Sequence, residues 1–287
     1  MTMMKNLIFM VIAAMILWGG GFGVKTSAAE TSAAETSAAA TSAKAETAET
    51  ERASSESVMT APLHVPAGVH WLDIRFERRC HDMAALGDKI EVIMLGDSIT
   101  HLWTWDKPND PANEPYRGDA VWARYFDEPV VFNFAFDCGT TQSTLARLDA
   151  APLSAIHPKI AVVLIGTNNV SAAETPEEIV RGITAIEDKL RSAFPGIRIL
   201  QLALFPRGES PNDPKRAAVA AVNRVLRERV AESDDVTFFD LGPKLLRPDG
   251  TIPADIMPDF LHVNPKGFEI WGREMKPVLD RLRAESK

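Results

Sequence analysis

The chain has 287 residues, 46% of them hydrophobic and 24% charged, enough to bury a large core. Its formal net charge of -8 excludes nucleic acid and an anionic membrane surface as main partners, because both select a basic patch. The two cysteines, Cys80 and Cys138, cannot build a disulfide-dense scaffold or a cysteine zinc site. A single bridge between them is conceivable, but two cysteines alone carry no pairing information and free thiols are expected.

In chain order, Met1 to Lys5 supplies a positive start, Leu7 to Trp18 an apolar run, and Ser27-Ala28-Ala29 a small-residue stretch. These are the three parts of a secretory signal peptide, so residues 1–29 predict export to a secreted or periplasmic location. An uncleaved membrane anchor is the alternative, but Gly19, Gly20, Gly21 and Gly23 shorten the run below the roughly 18 to 20 residues that span a bilayer. From Thr26 to about Ser57 the composition falls to Ala, Thr, Ser and Glu, with TSAAE repeated at Thr26 and Thr31. Without large apolar side chains this segment cannot offset the entropy of ordering, so residues 30–60 read as a solvated linker and residues 61–287 as the folded domain.

The domain opens on an amphipathic helix, with Trp71, Ile74, Phe76, Met83 and Leu86 on the apolar side and Asp73, Arg75, Glu77, Arg78 and Arg79 interspersed, ended by Gly87. His70 and His81 there read as surface or packing residues. Five apolar runs then read as strands: Val92 to Leu95, Val130 to Phe134, Ile160 to Ile165, Ile197 to Phe205 and Val236 to Asp240. Helical patterns separate or follow them over Thr141 to Leu148, Pro176 to Phe194 with a Thr175 cap, Arg216 to Val230, and Pro265 to Leu282 with an Asn264 cap. Near-continuous apolar strands alternating with helices predict an α/β fold: a three-layer αβα domain around a parallel sheet of about five strands.

In such open sheets ligands sit beyond the carboxyl ends of the strands. The residues there are Gly96-Asp97-Ser98 after the first strand, Asp137-Cys138-Gly139-Thr140-Thr141 after the second, and Gly166-Thr167-Asn168-Asn169 after the third. A fourth polar cluster, Asp259-Phe260-Leu261-His262, enters the last helix. An aspartate three residues before a histidine can turn its carboxylate onto the ring and stabilise the imidazolium that forms when the ring accepts a proton. Individually, Ser98 reads as a cap, Asn168 as a turn residue, Asp259 as a surface charge and His262 as a packed imidazole; their joint appearance at one sheet edge favours an acyl-transfer site.

The order of the blocks GDSIT, GTNN and DFLH, with NF before the second loop and FPRGESPND after the fourth strand, resembles the SGNH hydrolases of the GDSL esterase family, over roughly Trp71 to Leu282. The resemblance is to the subgroup around the platelet-activating factor acetylhydrolase catalytic subunit, and implies a flavodoxin-like fold. It also implies Ser98 as nucleophile, His262 as general base, Asp259 as its orienting partner, and Asn168 with the Ser98 N–H as oxyanion donors. Asp97 matches the loop-stabilising carboxylate, and Gly166 opens the third block. The second block departs from the family's glycine pair and aspartate, so that either Cys138 or Gly139 supplies the remaining N–H. Ala146 replaces a tryptophan common in the helix that follows.

The expected activity is hydrolysis of short-chain acyl esters, most simply acetyl esters of a carbohydrate or another small molecule, with no cofactor and no metal. One alternative is a lipid-directed acetylhydrolase or lysophospholipase; another is a glycan-binding protein whose hydrolytic site has decayed. A homodimer is compatible with the sequence. His101, Trp103 and Trp105 are open to two readings, substrate contact or helix packing, and so is Arg207, which could approach substrate or pair with Glu209.

Overall fold

Five apolar runs pair in parallel into one sheet with the strand order β2-β1-β3-β4-β5 in the computed structural model, which describes residues 70–107, 110–126 and 130–286. The expected signal peptide and linker, and the His70 side chain, lie outside the described residues. The strands are β1 (Val92–Gly96), β2 (Val131–Asn133), β3 (Ile160–Leu164), β4 (Arg198–Leu202) and β5 (Val236–Phe239). All five residues of β1 and of β3 are buried, because helices cover both faces of a parallel sheet. Register runs Val92 against Val131 and Ile160, and Gly96 against Leu164. The chain order reverses around β1, which opens a crevice at the carboxyl ends of β1 and its neighbours.

Eight α-helices are described: α1 (His70–Leu86), α2 (Ser98–His101), α3 (Asp119–Tyr125), α4 (Thr141–Ala150), α5 (Thr167–Ser171), α6 (Pro176–Ala193), α7 (Pro214–Val230) and α8 (Pro265–Glu285). On one face α4 packs on α6 and α6 on α7; on the other, α3 packs on α8. The termini carry the caps their sequences suggest. Thr175 accepts the Glu178 N–H while Glu178 reaches back to Thr175, and Asn264 accepts the Lys266 and Gly267 N–H groups ahead of α8. No described helix is long and apolar enough to cross a membrane.

Two expectations are corrected. The fourth strand stops at Leu202 rather than Phe205, because Leu204 gives both its backbone groups to the Asn223 side chain of α7, at 2.8 and 2.9 Å, instead of to a neighbouring strand. In α1, Ile74 is 46% exposed whereas Arg75, expected among the polar residues, is 2% exposed. Arg75 turns inward because it has partners there. Its Nε donates to the Ala135 carbonyl at 3.1 Å and its Nη1 lies 2.6 Å from Asp106 Oδ2. A buried guanidinium is tolerated when paired and hydrogen-bonded in this way.

Candidate active site

Ser98 is the first residue of α2, immediately beyond β1. Asp97 caps it, accepting the Ile99 N–H at 3.0 Å, and the Asp97 carboxylate is 1% exposed. Burial pushes this carboxyl up to about 7, against the pull of the Ile99 bond and of His262. Ser98 Oγ stands 2.9 Å from His262 Nε2, across 164 residues of sequence.

The loop before α8 presents His262. Phe260 adopts a left-handed φ of 58°, which lets the chain curl so that the Asp259 carboxylate meets the residues after it. Asp259 Oδ1 accepts the Leu261 N–H at 3.1 Å and the His262 N–H at 2.7 Å, and Oδ2 lies 2.6 Å from His262 Nδ1. Partial burial raises the Asp259 carboxyl, but the hydrogen bonds from His262 and Leu261 outweigh it and leave the group below the ordinary carboxylate range. An ionised Asp259 keeps the ring proton on Nδ1, and the Nε2 lone pair then faces the Ser98 hydroxyl.

Asn168 lies in α5, after Gly166, whose φ of 131° suits glycine and where a Cβ would approach Ile179 Cγ2 to 2.9 Å. Asn168 Nδ2 donates to the Gly139 carbonyl at 2.8 Å, leaving its second amide hydrogen free of that bond. The second block divides its tasks in an unexpected way. Gly139 is where space is short, since a Cβ there would meet the Phe136 carbonyl at 2.9 Å and Asp97 Cα at 3.4 Å. The left-handed residue is instead Cys138, with φ 56°. The Gly139 N–H closes a turn onto the Phe136 carbonyl at 3.1 Å, while the Cys138 N–H meets only the adjacent Asp137 Oδ1, at 2.9 Å. Of the two N–H groups, that of Gly139 is held by a backbone carbonyl and that of Cys138 by a side chain. Both cysteines are free thiols.

Several further residues surround these side chains. Arg207 is buried and does not pair with Glu209; its Nη1 donates to the Thr167 carbonyl at 2.8 Å, Thr167 Oγ1 at 3.0 Å and Ser171 Oγ at 2.9 Å, stapling α5. Asn169 accepts the Thr141 N–H at 3.1 Å and joins the start of α4 to α5; only the second asparagine of GTNN hinted at it. Tyr116 stands edge-on to His262, with ring centroids 5.8 Å apart. Trp103 packs between Trp122, Phe126, Phe268 and Trp271, and Trp105 is also buried, so packing rather than substrate contact explains the two tryptophans; His101 is buried beside them. Among the described residues, no group of three or more His, Cys, Asp or Glu side chains could share a metal ion.

Comparison with known proteins agrees with this geometry. The model of the GDSL-like lipase/acylhydrolase family matches residues 94–270. The platelet-activating factor acetylhydrolase IB subunit alpha1 of Rattus norvegicus is 33% identical over 197 residues, 69% of this chain and 78% of that protein. The alpha2 subunit of Bos taurus is 33% identical over 196 residues, 68% of this chain and 79% of the relative. A GDSL-like lipase from Bacteroides thetaiotaomicron superposes with a TM-score of 0.58 at 15% identity, covering 72% of this chain and 97% of its own. Est24, a carbohydrate acetylesterase from Sinorhizobium meliloti, superposes with a TM-score of 0.51 at 18% identity, over 67% and 99%. The two superpositions establish the fold and the sequence matches the family: this chain belongs to the GDSL-like lipase/acylhydrolase family of SGNH hydrolases and is an ester hydrolase.

Proposed function

We propose that the protein is an exported serine esterase that removes short acyl groups, foremost acetyl, from a carbohydrate or another small alcohol. The observation that carries the reading is the unbroken contact from Ser98 Oγ to His262 Nε2 at 2.9 Å and from His262 Nδ1 to Asp259 at 2.6 Å. In the first step Nε2 takes the Ser98 proton as Oγ forms a bond to the ester carbonyl carbon. The carbonyl oxygen becomes an oxyanion, and the Ser98 and Cys138 N–H groups with the Asn168 amide donate to it. Collapse of this intermediate breaks the ester bond; the leaving alkoxide takes the proton from Nε2 and departs as the alcohol. Water then gives its proton to Nε2, its oxygen attacks the acyl carbon, and the Ser98 oxygen leaves with that proton. Asp259 stays ionised throughout and stabilises the imidazolium.

The acetyl preference rests on two relatives of different kinds: the acetylhydrolase subunits related in sequence, and the carbohydrate acetylesterase related in fold. The 33% identity to the former supports a second reading, an esterase acting on an acetylated lipid. Export rests on the amino-terminal charge, apolar run and small residues of 1–29. A panel of p-nitrophenyl esters, acetylated sugars and acyl lipids, run on the parent and on Ser98→Ala, tests all of this. The substitution is expected to lower turnover by on the order of 10^4-fold or more while leaving the fold intact. Equal rates in the two proteins would overturn the triad, and cleavage of acyl lipids in preference to acetylated sugars would select the lipid reading.

A further inference from the structure

His101 ends the same single helical turn that Ser98 begins, and it is fully buried, between the rings of Trp71 and Trp105 at 5.5 and 4.4 Å. Its two nitrogens have different neighbours. Nδ1 receives the backbone N–H of Asp137 at 3.2 Å, and Nε2 lies 3.2 Å from Asp106 Oδ1. An N–H can point at Nδ1 only if that nitrogen carries a lone pair, so the single ring proton sits on Nε2, toward the carboxylate. Asp106 is in turn held by Arg75, whose Nε reaches the Ala135 carbonyl in the strand-end chain leading to the same loop.

The charged groups around the ring are Asp106, Arg75 and Arg79, and Arg78 Nη1 also lies 3.6 Å from Asp106 Oδ2. Burial first, then the Arg75 charge, push the imidazole down to about 3, in line with the lone pair that the Asp137 N–H requires on Nδ1. The loop it touches runs from Phe136 to Gly139; it starts where the Phe136 N–H bonds the Gly96 carbonyl of β1 at 3.1 Å, and it is fixed at three further points. His101 Nδ1 takes the Asp137 N–H, the Phe136 carbonyl takes the Gly139 N–H, and Asn168 Nδ2 takes the Gly139 carbonyl. Only the first of these ties the loop to the helical turn that bears Ser98.

From this geometry we infer that His101 is a positioning residue: as a neutral acceptor held by Asp106 and Arg75, it locks the Asp137 peptide and so fixes the Cys138 N–H relative to Ser98. The inference rests on the reading of the Cys138 N–H as an oxyanion donor. It assigns the histidine of GDSITH to aiming a backbone donor, with no proton transfer of its own. The turn from Ser98 to His101 thereby carries the nucleophile at one end and the anchor of its oxyanion loop at the other.

Two substitutions in the full chain separate the acceptor role from packing. In His101→Asn the amide oxygen occupies the level of Nδ1 and can still accept the Asp137 N–H; in His101→Gln the amide lies one bond farther out and serves Asp106 instead. With p-nitrophenyl acetate, His101→Gln is expected to lower kcat by about 10-fold to 100-fold, less than outright loss of an oxyanion donor, with KM changed by less than about threefold. His101→Asn is expected to keep kcat within about threefold of the parent, although both variants lose the ring packing and melt lower. Equal kcat values in two folded variants, whether both high or both low, would overturn the inference. Ser98→Ala run alongside distinguishes the cases: if it is inactive while His101→Gln is fully active, the triad stands and the positioning role fails. A measurement on the parent needs no variant to fold. Long-range proton–nitrogen spectra are expected to show a neutral His101 protonated at Nε2 from about pH 5 to about pH 8, and a ring protonated at Nδ1 would refute the proposal.

Discussion

His262 and His101 each face an aspartate, through opposite nitrogens and in opposite surroundings. His262 meets Asp259 with Nδ1, turns Nε2 to Ser98, and keeps its side chain 22% exposed. His101 meets Asp106 with Nε2, turns Nδ1 to a backbone N–H, and is 0% exposed. The aspartates differ too. Asp106 is shared with the Arg75 guanidinium, which uses up much of its charge, whereas among the described residues no Lys or Arg forms an ion pair with Asp259. A ring can accept a proton only where the resulting charge is compensated. The pair at 259 and 262 meets that condition, and the pair at 101 and 106 is built against it.

The sharpest way to break this comparison is to neutralise each aspartate. Asp259→Asn is expected to lower turnover of p-nitrophenyl acetate by roughly 10^3-fold to 10^4-fold with little change in melting temperature, because the ring loses its tautomer and its counter-charge. Asp106→Asn is expected to do the reverse. It strands the buried Arg75 and costs about 3 to 5 kcal/mol of stability in urea unfolding, while turnover falls less than about tenfold because the amide oxygen still accepts the Nε2 proton. Similar kinetic losses in both variants would erase the distinction.

A smaller effect is read in pH. The His101 ring is lowered to about 3 from an ordinary 6.5, so its contribution to stability is complete above about 6.5 and is lost as pH falls toward 3. Asp97 has the opposite sign. Raised to about 7 from 3.8, it contributes fully below about 3.8 and loses that contribution as pH rises through 7. Asp97→Asn keeps the cap to the Ile99 N–H, so the melting temperature of the variant minus that of the parent should widen from pH 5 to pH 8; a gap that narrows over that range would show the carboxyl ionised at little cost. The smallest expected effect concerns the oxyanion loop. Cys138→Gly relieves a left-handed β-carbon and should stabilise the fold by about 1 kcal/mol in the same urea assay. In the parent, the Cys138 thiol is pushed up to about 11 by burial and by Asp137, so its alkylation by iodoacetamide at neutral pH should be slow despite its exposure.

The apolar runs from Val92, Ile160 and Ile197 onward determined a buried parallel sheet, because a strand covered on both faces is apolar at nearly every position. Thr175 and Asn264 determined where two helices start, since a cap acts within three or four residues of itself. The block order around Ser98, Asn168, Asp259 and His262 determined the family, because a polar residue at a strand end has few other reasons to recur in that pattern. Tertiary structure alone decided that Arg75 faces inward and Ile74 outward, through a carbonyl 60 residues away. It decided too that Cys138 takes the left-handed turn while Gly139 takes the tight contact, and that His101 is an acceptor sealed from solvent. Periodicity and capping act over one or two turns of chain, whereas the partner that makes a buried charge or a neutral imidazole tolerable comes from a distant segment, and only the folded arrangement brings it there.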